Sequence, residues 1–253
     1  MKRFLAALRF LTICPVPGSW GSAEEDLARS VPCFPLVGLL LGGLGAAAAW
    51  LLGRLNVPAM LASLALVVLL LGCSGCLHMD GLSDSADGLF SSRSRERMLE
   101  IMKDSHVGPM GLVAVLVVLL AKLSALYSMP AGLRWPAVLL MPLAGRVAIV
   151  VHLALLRYVR PGGRAAIFCH QRRWPAAVWA LTLLAAAGWG LFGLKGLAIG
   201  GVALAVMLVS AGYLKGKLGG ITGDTLGAVC ELLETVPAVT LAVWPLTLAR
   251  WIP

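Results

Sequence analysis

The chain has 253 residues, of which 59% are hydrophobic and 13% charged, and its formal net charge is +9. Soluble domains carry about 25% charged residues, so this composition excludes an ordinary soluble protein, and the positive charge does not indicate a nucleic-acid partner. We predict an all-α, polytopic integral membrane helical bundle, embedded in the lipid bilayer and formed by residues 1–253 as a single domain.

The first predicted element is a short N-terminal helix that two prolines end. On a helical wheel Phe4, Leu8 and Leu11 share one face, and Lys2 and Arg9 lie opposite. This amphipathic pattern predicts a helix that lies along the membrane surface. The early arginine and the lack of a small-residue cleavage site argue against a signal peptide.

Seven apolar segments follow, each close to the roughly 20 residues that cross a bilayer. They predict about seven transmembrane helices, although Pro237 and Pro245 interrupt the last segment and leave six or eight spans open. The segments cover residues 31–53, 58–77, 109–129, 136–156, 175–193, 196–214 and 236–252.

The charges between these segments predict the orientation. Four polar stretches, 1–30, 78–108, 157–174 and 215–235, hold 15 Lys and Arg, against 4 on the opposite side, and contain all twelve Asp and Glu. Because cytoplasmic loops are enriched in Lys and Arg, we expect these stretches in the cytoplasm. The prediction is a multi-pass protein of the bacterial inner (cytoplasmic) membrane whose active site faces the cytoplasm.

Three aspartates follow the second apolar segment. If the helix of that segment continues, Asp80, Asp84 and Asp87 share one narrow stripe, because successive residues turn by about 100°. Oxygen-only ligands suit a hard cation, so the stripe predicts Mg²⁺ bound together with substrate phosphates. Gly81 and Gly88 beside the stripe allow another helix to approach closely. The alternative is a solvated acidic face.

The next polar segment offers groups for phosphate binding. Arg93 and Arg97 carry guanidinium forks that match phosphate oxygens, and Asp104 is a candidate fourth carboxylate or general base. The alternative for the arginines is binding to anionic lipid headgroups.

A glycine-rich cluster lies near residue 220. Its backbone N–H groups are predicted to approach a phosphate, and Asp224 is a second candidate general base or metal ligand. The alternative is a plain turn between helices. The candidate substrate-binding residues of this cluster are Lys215, Lys217, Gly219, Gly220, Thr222 and Gly223.

Lys122 and Arg146 interrupt apolar segments, where each charge costs roughly 2.5–3.5 kcal/mol at the bilayer centre. We expect them to face the bundle interior or a polar cleft, and we count Arg146 as a candidate ligand of an anionic substrate. The alternative is that both side chains snorkel to the surface.

Carboxylates, cationic groups and a glycine loop on one face are the parts of a phosphoryl-transfer site. They predict a membrane transferase that acts on a diphosphate substrate.

The sequence also resembles the cobalamin synthase (adenosylcobinamide-GDP ribazoletransferase) family nearly from end to end. The resemblance rests on RFLTICPVP (9–17), FPLVGLLLG (34–42), HMDGLSDSADGLFSSRSRERMLEIMKDSHVGPMG (78–111) and KLGGITGDTLGAVCELLE (217–234). It implies a Mg²⁺-requiring enzyme that joins adenosylcobinamide-GDP with alpha-ribazole, or its 5′-phosphate, to give adenosylcobalamin, or its 5′-phosphate, and GMP.

Two other functions stay open from the sequence. A CDP-alcohol-phosphotransferase-like lipid synthase also uses aspartates on membrane helices, but its D-G-x2-A-R signature is absent. A cation or corrinoid transporter would place ionisable residues and broken helices near the bilayer midplane. The sequence does not decide whether the protein forms a homo-oligomer.

Overall fold

The computed structural model describes residues 1–104, 106–160, 162–170 and 174–244. Within these ranges the chain forms eleven α-helices and two short 3-10 segments, and no named strand. The helices are α1 (Lys2–Leu11), α2 (Glu24–Ala28), α3 (Phe34–Arg54), α4 (Ala59–Cys73), α5 (Leu77–Leu89), α6 (Arg95–Ile101), α7 (Pro109–Ser128), α8 (Ala131–Leu155), α9 (Trp174–Phe192), α10 (Leu194–Leu218) and α11 (Gly223–Val243).

Six of these helices are individually long and apolar enough to cross a membrane: α3, α7, α8, α9, α10 and α11. The pair α4 and α5 passes the same test only when taken together, and the two helices meet at an angle of 89°. The prediction of a polytopic helical bundle with six to eight spans is therefore confirmed. We treat α4 as the seventh crossing and α5 as a helix that lies across the end of the bundle.

The sharp turn between α4 and α5 corrects the expectation that one helix runs through the second segment. Gly75 and Cys76 both adopt positive φ, of 57° and 56°, so the helix ends at Cys73 and restarts at Leu77. Left-handed backbone is cheap for glycine but costs other residues roughly 1–2 kcal/mol, so tertiary contacts must stabilise it at the cysteine. The aspartates thus belong to a separate helix.

The last predicted segment, 236–252, is displaced in the structure. The spanning helix α11 begins at Gly223 and ends at Val243, and residues 245–252 lie outside the described part of the chain. The stretch 215–235 is consequently not a cytoplasmic loop, because α10 continues to Leu218 and only four residues separate it from the start of α11 at Gly223. Three of the twelve acidic residues lie within this spanning helix: Asp224 at its start and Glu231 and Glu234 further along.

Helix α8 is the centre of the bundle, and nearly all of its residues are buried. Glycines on α3 face it directly: a Cβ built on Gly38 would lie 2.7 Å from the carbonyl oxygen of Pro142, and one on Gly42 would collide with Leu139. Small residues are the usual means by which membrane helices approach closely. The tight α3–α8 contact fixes the frame against which the other helices pack.

The amphipathic N-terminal helix is present as α1 and packs on the bundle rather than standing apart. Its buried residues include Leu8 and Leu11, and Phe10 packs edge-on against Phe168, with ring centroids 5.0 Å apart. Phe168 also contacts Phe34 at the start of α3, at 5.4 Å. This aromatic cluster joins α1 to the end of the bundle that carries α5.

Candidate active site

Helix α5 carries the three aspartates on its one incompletely buried stripe. Asp80 is exposed and Asp84 and Asp87 are half-buried, whereas the remaining residues from 78 to 89 are buried. The side-chain stripe predicted from helical spacing therefore exists on α5 itself, because all three residues fall within its bounds. The open side of the stripe is where a ligand has access.

The close approach of α5 to α11 brings the aspartate stripe next to the glycine-rich cluster near residue 220. A Cβ on Gly81 would lie 2.7 Å from the carbonyl oxygen of Asp224, and one on Gly227 would lie 3.0 Å from that of His78. Backbones can pass at this distance only where both helices carry glycine. Residues 81 and 224 are distant in sequence, yet the N-terminus of α11 lies directly on α5.

The aspartates of the two helices influence one another electrostatically. Partial burial, then the charges of Asp80 and Asp224, raise the pKa of Asp84 to about 6, while Arg160 opposes the shift. Like charges held together disfavour ionisation, and a cation would reverse that effect. This part of the site is thus an acidic cluster that a bound cation would stabilise.

Two arginines that the sequence patterns did not indicate as candidates, Arg157 and Arg160, lie beside this cluster. Arg160 pairs with Asp224 at 2.6 Å, and the two side chains are only 14% and 21% exposed. Arg157 donates from Nε to the carbonyl oxygen of Gly219 at 3.1 Å, and the guanidinium of Arg95 also lies against Gly219. The available signal was the basic stretch 157–174, which the charge rule had already assigned to the same side as the aspartates.

Two glycines of the glycine-rich turn, Gly219 and Gly220, are required by the fold itself. Gly219 caps α10 in the left-handed conformation, with φ of 72°. Gly220 packs against the backbone of Arg157, where Ile221 N–H donates to the Arg157 carbonyl at 2.9 Å, so a side chain would collide. A Cβ added to Gly223, the first residue of α11, would meet only Ala165 among the described residues, at 3.8 Å, so this glycine leaves room for a ligand there.

Thr222 is the N-cap of α11 rather than a free ligand. Its hydroxyl accepts from the backbone N–H of Thr225, while the Thr225 hydroxyl interacts with the N–H of Thr222. Thr222 is fully buried. Its hydroxyl thus serves the helix N-terminus and also bonds to the Asp224 carboxylate, and its role as a substrate-binding side chain stays a prediction.

Asp87 holds the start of α7. One carboxylate oxygen accepts from Gly108 N–H at 2.7 Å and the other from Gly111 N–H at 2.9 Å. A negative charge at a helix N-terminus is favourable because unpaired N–H groups point at it. The carboxylate thus has a structural role in joining α5 to α7, and Asp80 and Asp84 are the freer members of the stripe.

The remaining candidates lie at the periphery. Asp104 is exposed and bonded to His106, and that hydrogen bond lowers its pKa, which makes it a weaker base than Asp84. Arg97 pairs with Glu100 at 2.7 Å, both side chains being more than 60% exposed. Arg93, Lys215 and Lys217 are also exposed. Within the described ranges none of these side chains is paired with Asp80 or Asp84.

Arg146 lies in a buried ion network and not among these phosphate-binding candidates. Lys122 Nζ lies 2.5 Å from Glu231 Oε2 and 2.7 Å from Glu234 Oε2, and Arg146 pairs with the other Glu234 oxygen. Arg146 is 1% exposed and Lys122 is 2% exposed. Both face the interior, as expected, and neither snorkels. The proposed substrate contact of Arg146 is replaced in this structure by Glu234.

No group of three or more His, Cys, Asp or Glu side chains in the described part of the chain is arranged to hold a metal ion. That finding argues against an all-protein metal cage there. Mg²⁺ is usually bound through one or two carboxylates plus substrate phosphates, and the Mg²⁺ site predicted on Asp80, Asp84 and Asp87 stays a prediction. Asp80 and Asp84 have the donor chemistry and access for this mode.

Comparison with known proteins gives consistent matches over almost the entire chain. The family model described as cobalamin-5-phosphate synthase matches residues 3–242. An adenosylcobinamide-GDP ribazoletransferase of Geotalea daltonii is 38% identical over 241 residues, which cover 95% of this chain and 97% of that protein. Proteins of the same name from Desulforamulus reducens and Pseudomonas putida are 40% and 38% identical, covering 90% and 96% of this chain and 91% and 99% of their own lengths. No solved structure matches the chain.

Proposed function

The chain belongs to the cobalamin-5-phosphate synthase family and is a transferase, and we propose that it catalyses the last step in assembling the nucleotide loop of adenosylcobalamin. Its substrates would be adenosylcobinamide-GDP and alpha-ribazole or the 5′-phosphate of alpha-ribazole. The products would be adenosylcobalamin or its 5′-phosphate, and GMP. The observation that carries the proposal is the α5–α11 contact at Gly81, which brings Asp80 and Asp84 beside Asp224.

The reaction requires one bond to form and one to break at phosphorus. The 3′-hydroxyl of the ribazole attacks the phosphorus next to the cobinamide arm, the bridging P–O bond breaks, and GMP leaves. Asp224 is positioned to accept the hydroxyl proton, since its carboxylate lies at the N-terminus of α11 against α5. Its pairing with Arg160 orients the carboxylate.

Asp80 and Asp84 would hold Mg²⁺ on the open stripe of α5. Bound there with the substrate, Mg²⁺ would neutralise the charge of the diphosphate and so stabilise GMP as a leaving group. Among the described residues, Arg95 and Arg157 lie against Gly219 and Arg160 pairs with Asp224, so their guanidinium groups would bind the diphosphate, and Gly223 leaves space beside them. Arg93, Arg97, Lys215 and Lys217 would add a positive field that attracts the nucleotide.

The proposed setting is the bacterial inner membrane, with the α5 end of the bundle in the cytoplasm. The excess of Lys and Arg on that side supports this orientation. A guanine nucleotide substrate also requires access from the cytoplasm. The bilayer would then hold the helices while the phosphate chemistry takes place at its surface.

The alternative function is a transporter, and the structure bears on it through its buried charges. The buried charges of α7, α8 and α11 and the break before α5 are features that a transporter would share. The charges nevertheless pair with one another, two acids with two bases, which leaves no net charge to exchange.

The direct test uses the full chain in lipid nanodiscs. Incubation with adenosylcobinamide-GDP, alpha-ribazole and Mg²⁺ should release GMP and a cobamide in equal amounts. Chelation of Mg²⁺ should stop both, and re-addition should restore them. Movement of substrate across vesicles without GMP release would support a transporter instead.

A further inference from the structure

An apolar groove opens on the face of α5 that points away from the aspartates. Its volume is about 430 Å³, and its walls come from α5, α7, α10 and α11. The lining residues Leu82 and Leu89 lie about 160° and about 180° round α5 from Asp80, at 100° per residue. The groove is therefore separate from the carboxylate site.

The walls of the groove face the bilayer. Five of its exposed lining residues belong to α7, α10 and α11, which are each long and apolar enough to cross a membrane. Exposed apolar side chains on such helices contact hydrocarbon, so the bilayer supplies the occupant of the groove. The lining residues that are 40–59% exposed are Phe90, Met110, Val113, Val117, Tyr213 and Leu232.

The groove starts at the α5 end of the bundle and is nearly one leaflet deep. Its lining residues on α7 run from Met110, the second residue of that helix, to Val118. Those on α11 run from Thr225, the third residue, to Leu232. At 1.5 Å per residue these stretches measure about 12 and about 10 Å. One leaflet contributes about 15 Å of hydrocarbon, so the depth fits an acyl chain of the leaflet at that end.

A cation lies just beyond the mouth of the groove on α10. Ser210, Tyr213 and Leu214 line the groove from one face of that helix. Lys217 continues the same face, because residues three and four apart on a helix are neighbours. Its side chain is exposed, and none of the ion pairs in the described part of the chain includes it. A tyrosine followed by a lysine at the end of an apolar stretch is typical of the depth of phospholipid headgroups.

We propose that the groove binds one acyl chain of an anionic phospholipid, such as phosphatidylglycerol, whose phosphate lies beside Lys217. The inference goes beyond the proposed reaction, because this lipid is neither a substrate nor a product. In the orientation proposed above, the lipid comes from the cytoplasmic leaflet. A headgroup of net negative charge pairs with the lysine, whereas the amine of a zwitterionic headgroup competes with it. Arg93, Arg97 and Lys215 then remain for the nucleotide.

Lipid binding to the full chain tests the headgroup contact. With delipidated protein in detergent, native mass spectrometry should show phosphatidylglycerol bound about fivefold more tightly than phosphatidylcholine with the same acyl chains, the effect of one lysine near a membrane surface. Lys217→Gln should abolish this preference. The matched control is Lys215→Gln, which removes the same charge from the same turn of α10 but about 160° away, so the preference should remain. Equal affinity of both lipids for the wild type, or an equal loss in both variants, would overturn the inference.

Filling the groove tests the contact with the acyl chain. Ala114→Phe should lower the affinity for phosphatidylglycerol by roughly 10-fold or more, because the ring occupies the space of the chain. The matched control is Ala121→Phe, on the same face of α7 seven residues further on and beyond the lining residues. Both alanines are partly buried. Equal affinities of the two variants would contradict an acyl chain in the groove. Lys217→Gln changes only an exposed side chain, so that comparison still decides the inference when a phenylalanine prevents folding.

Two further ligands separate a lipid from a free anion. Inorganic phosphate should not displace phosphatidylglycerol, because it has no chain for the groove. Lysophosphatidylglycerol, which has a single chain, should bind and should show the same dependence on Lys217. Displacement by phosphate alone, or failure of the single-chain lipid to bind, would rule out the proposed lipid site. No substrate is present in these measurements, so their outcome does not depend on the proposed reaction.

Discussion

Two regions of this molecule bring ionisable side chains together, and they differ in how those charges are balanced. One pairs opposite charges in the interior, and the other holds like charges near the surface. In the buried network Lys122 and Arg146 are matched by Glu231 and Glu234 at hydrogen-bonding distance, two positive charges against two negative ones. On α5 the aspartates remain partly accessible, and their charges raise the pKa of one member. The first arrangement stabilises a fold; the second is suited to a charged ligand that arrives from solution.

The largest expected effect comes from unbalancing the buried network. Glu234→Gln leaves Lys122 and Arg146 with one carboxylate between them, and removing one partner of a buried pair destabilises a protein by about 3–5 kcal/mol. Thermal unfolding in detergent, or the yield of folded protein, measures the loss. Glu100→Gln is the matched control, because its pair with Arg97 is exposed and worth about 0–1 kcal/mol.

Similar stability of these two variants would show that the network does not hold α7, α8 and α11 together. Replacing Lys122 with Met and Glu231 with Gln in one chain is expected to cost less than Glu234→Gln alone. That double variant leaves the Arg146–Glu234 pair intact and removes one charge of each sign.

The second effect concerns catalysis and should leave the fold intact. Asp84→Asn is expected to lower kcat by about 10²-fold, equivalent to about 2.7 kcal/mol, because the amide binds Mg²⁺ poorly. The variant should also need more Mg²⁺ for half-maximal GMP release. Full activity with an unchanged Mg²⁺ requirement would remove Asp84 from the metal site.

Thr222→Ala tests whether a predicted ligand is really a helix cap. Loss of the cap should destabilise the protein by about 1 kcal/mol, measured as a lower unfolding temperature. If the hydroxyl acts only as a cap, the KM values for both substrates should stay within about twofold of wild type, because Thr222 is fully buried. A large rise in KM with unchanged stability would restore the threonine to the substrate site.

The smallest effect is a gain in stability from the variant that loses activity. The folded pKa of Asp84 is about 6, above the unfolded value near 4, so at pH 7 its ionised form opposes folding. Without Mg²⁺, Asp84→Asn should therefore stabilise the protein at pH 7 by up to about 1 kcal/mol, a value kept low because the group is partly exposed to solvent.

The size of that gain depends on pH. It should be full above about pH 6, decline as the pH falls through 6, and vanish below about pH 4, where Asp84 is protonated in both states. Unfolding temperatures of wild type and variant across this range provide the measurement. A constant difference between them at every pH would contradict the assigned pKa.

The sequence predicted the spans best where an apolar run is uninterrupted, as in α3, α7 and α9. The predicted position of the last span was wrong: the helix begins at Gly223 and not at residue 236. Glu231 and Glu234 look like loop residues until their partners on α7 and α8 are known. No periodicity within one segment reveals that a lysine more than one hundred residues away neutralises them. Charges that pair across helices are thus a regular source of error in locating membrane segments.

The candidate site was predictable in its parts but not in its assembly. Helical spacing was enough to find the aspartate stripe, and glycine beside it was enough to expect a second helix. Which helix that is, and that Arg157 and Arg160 accompany it, follows only from the fold. The roles of Thr222 and Asp87 as caps were likewise hidden, because a capping hydroxyl and a ligating one look the same in a sequence.

The right angle between α4 and α5 separates the site mechanically from the bilayer. Helix α5 is fixed by its glycine contact with α11 and by the Asp87 bonds to α7, whereas α4 leads into it through a three-residue turn. A membrane helix responds to a thicker or thinner bilayer by tilting. Helix α4 can change its tilt about that turn, so the carboxylates should keep their spacing when the cell remodels its lipids.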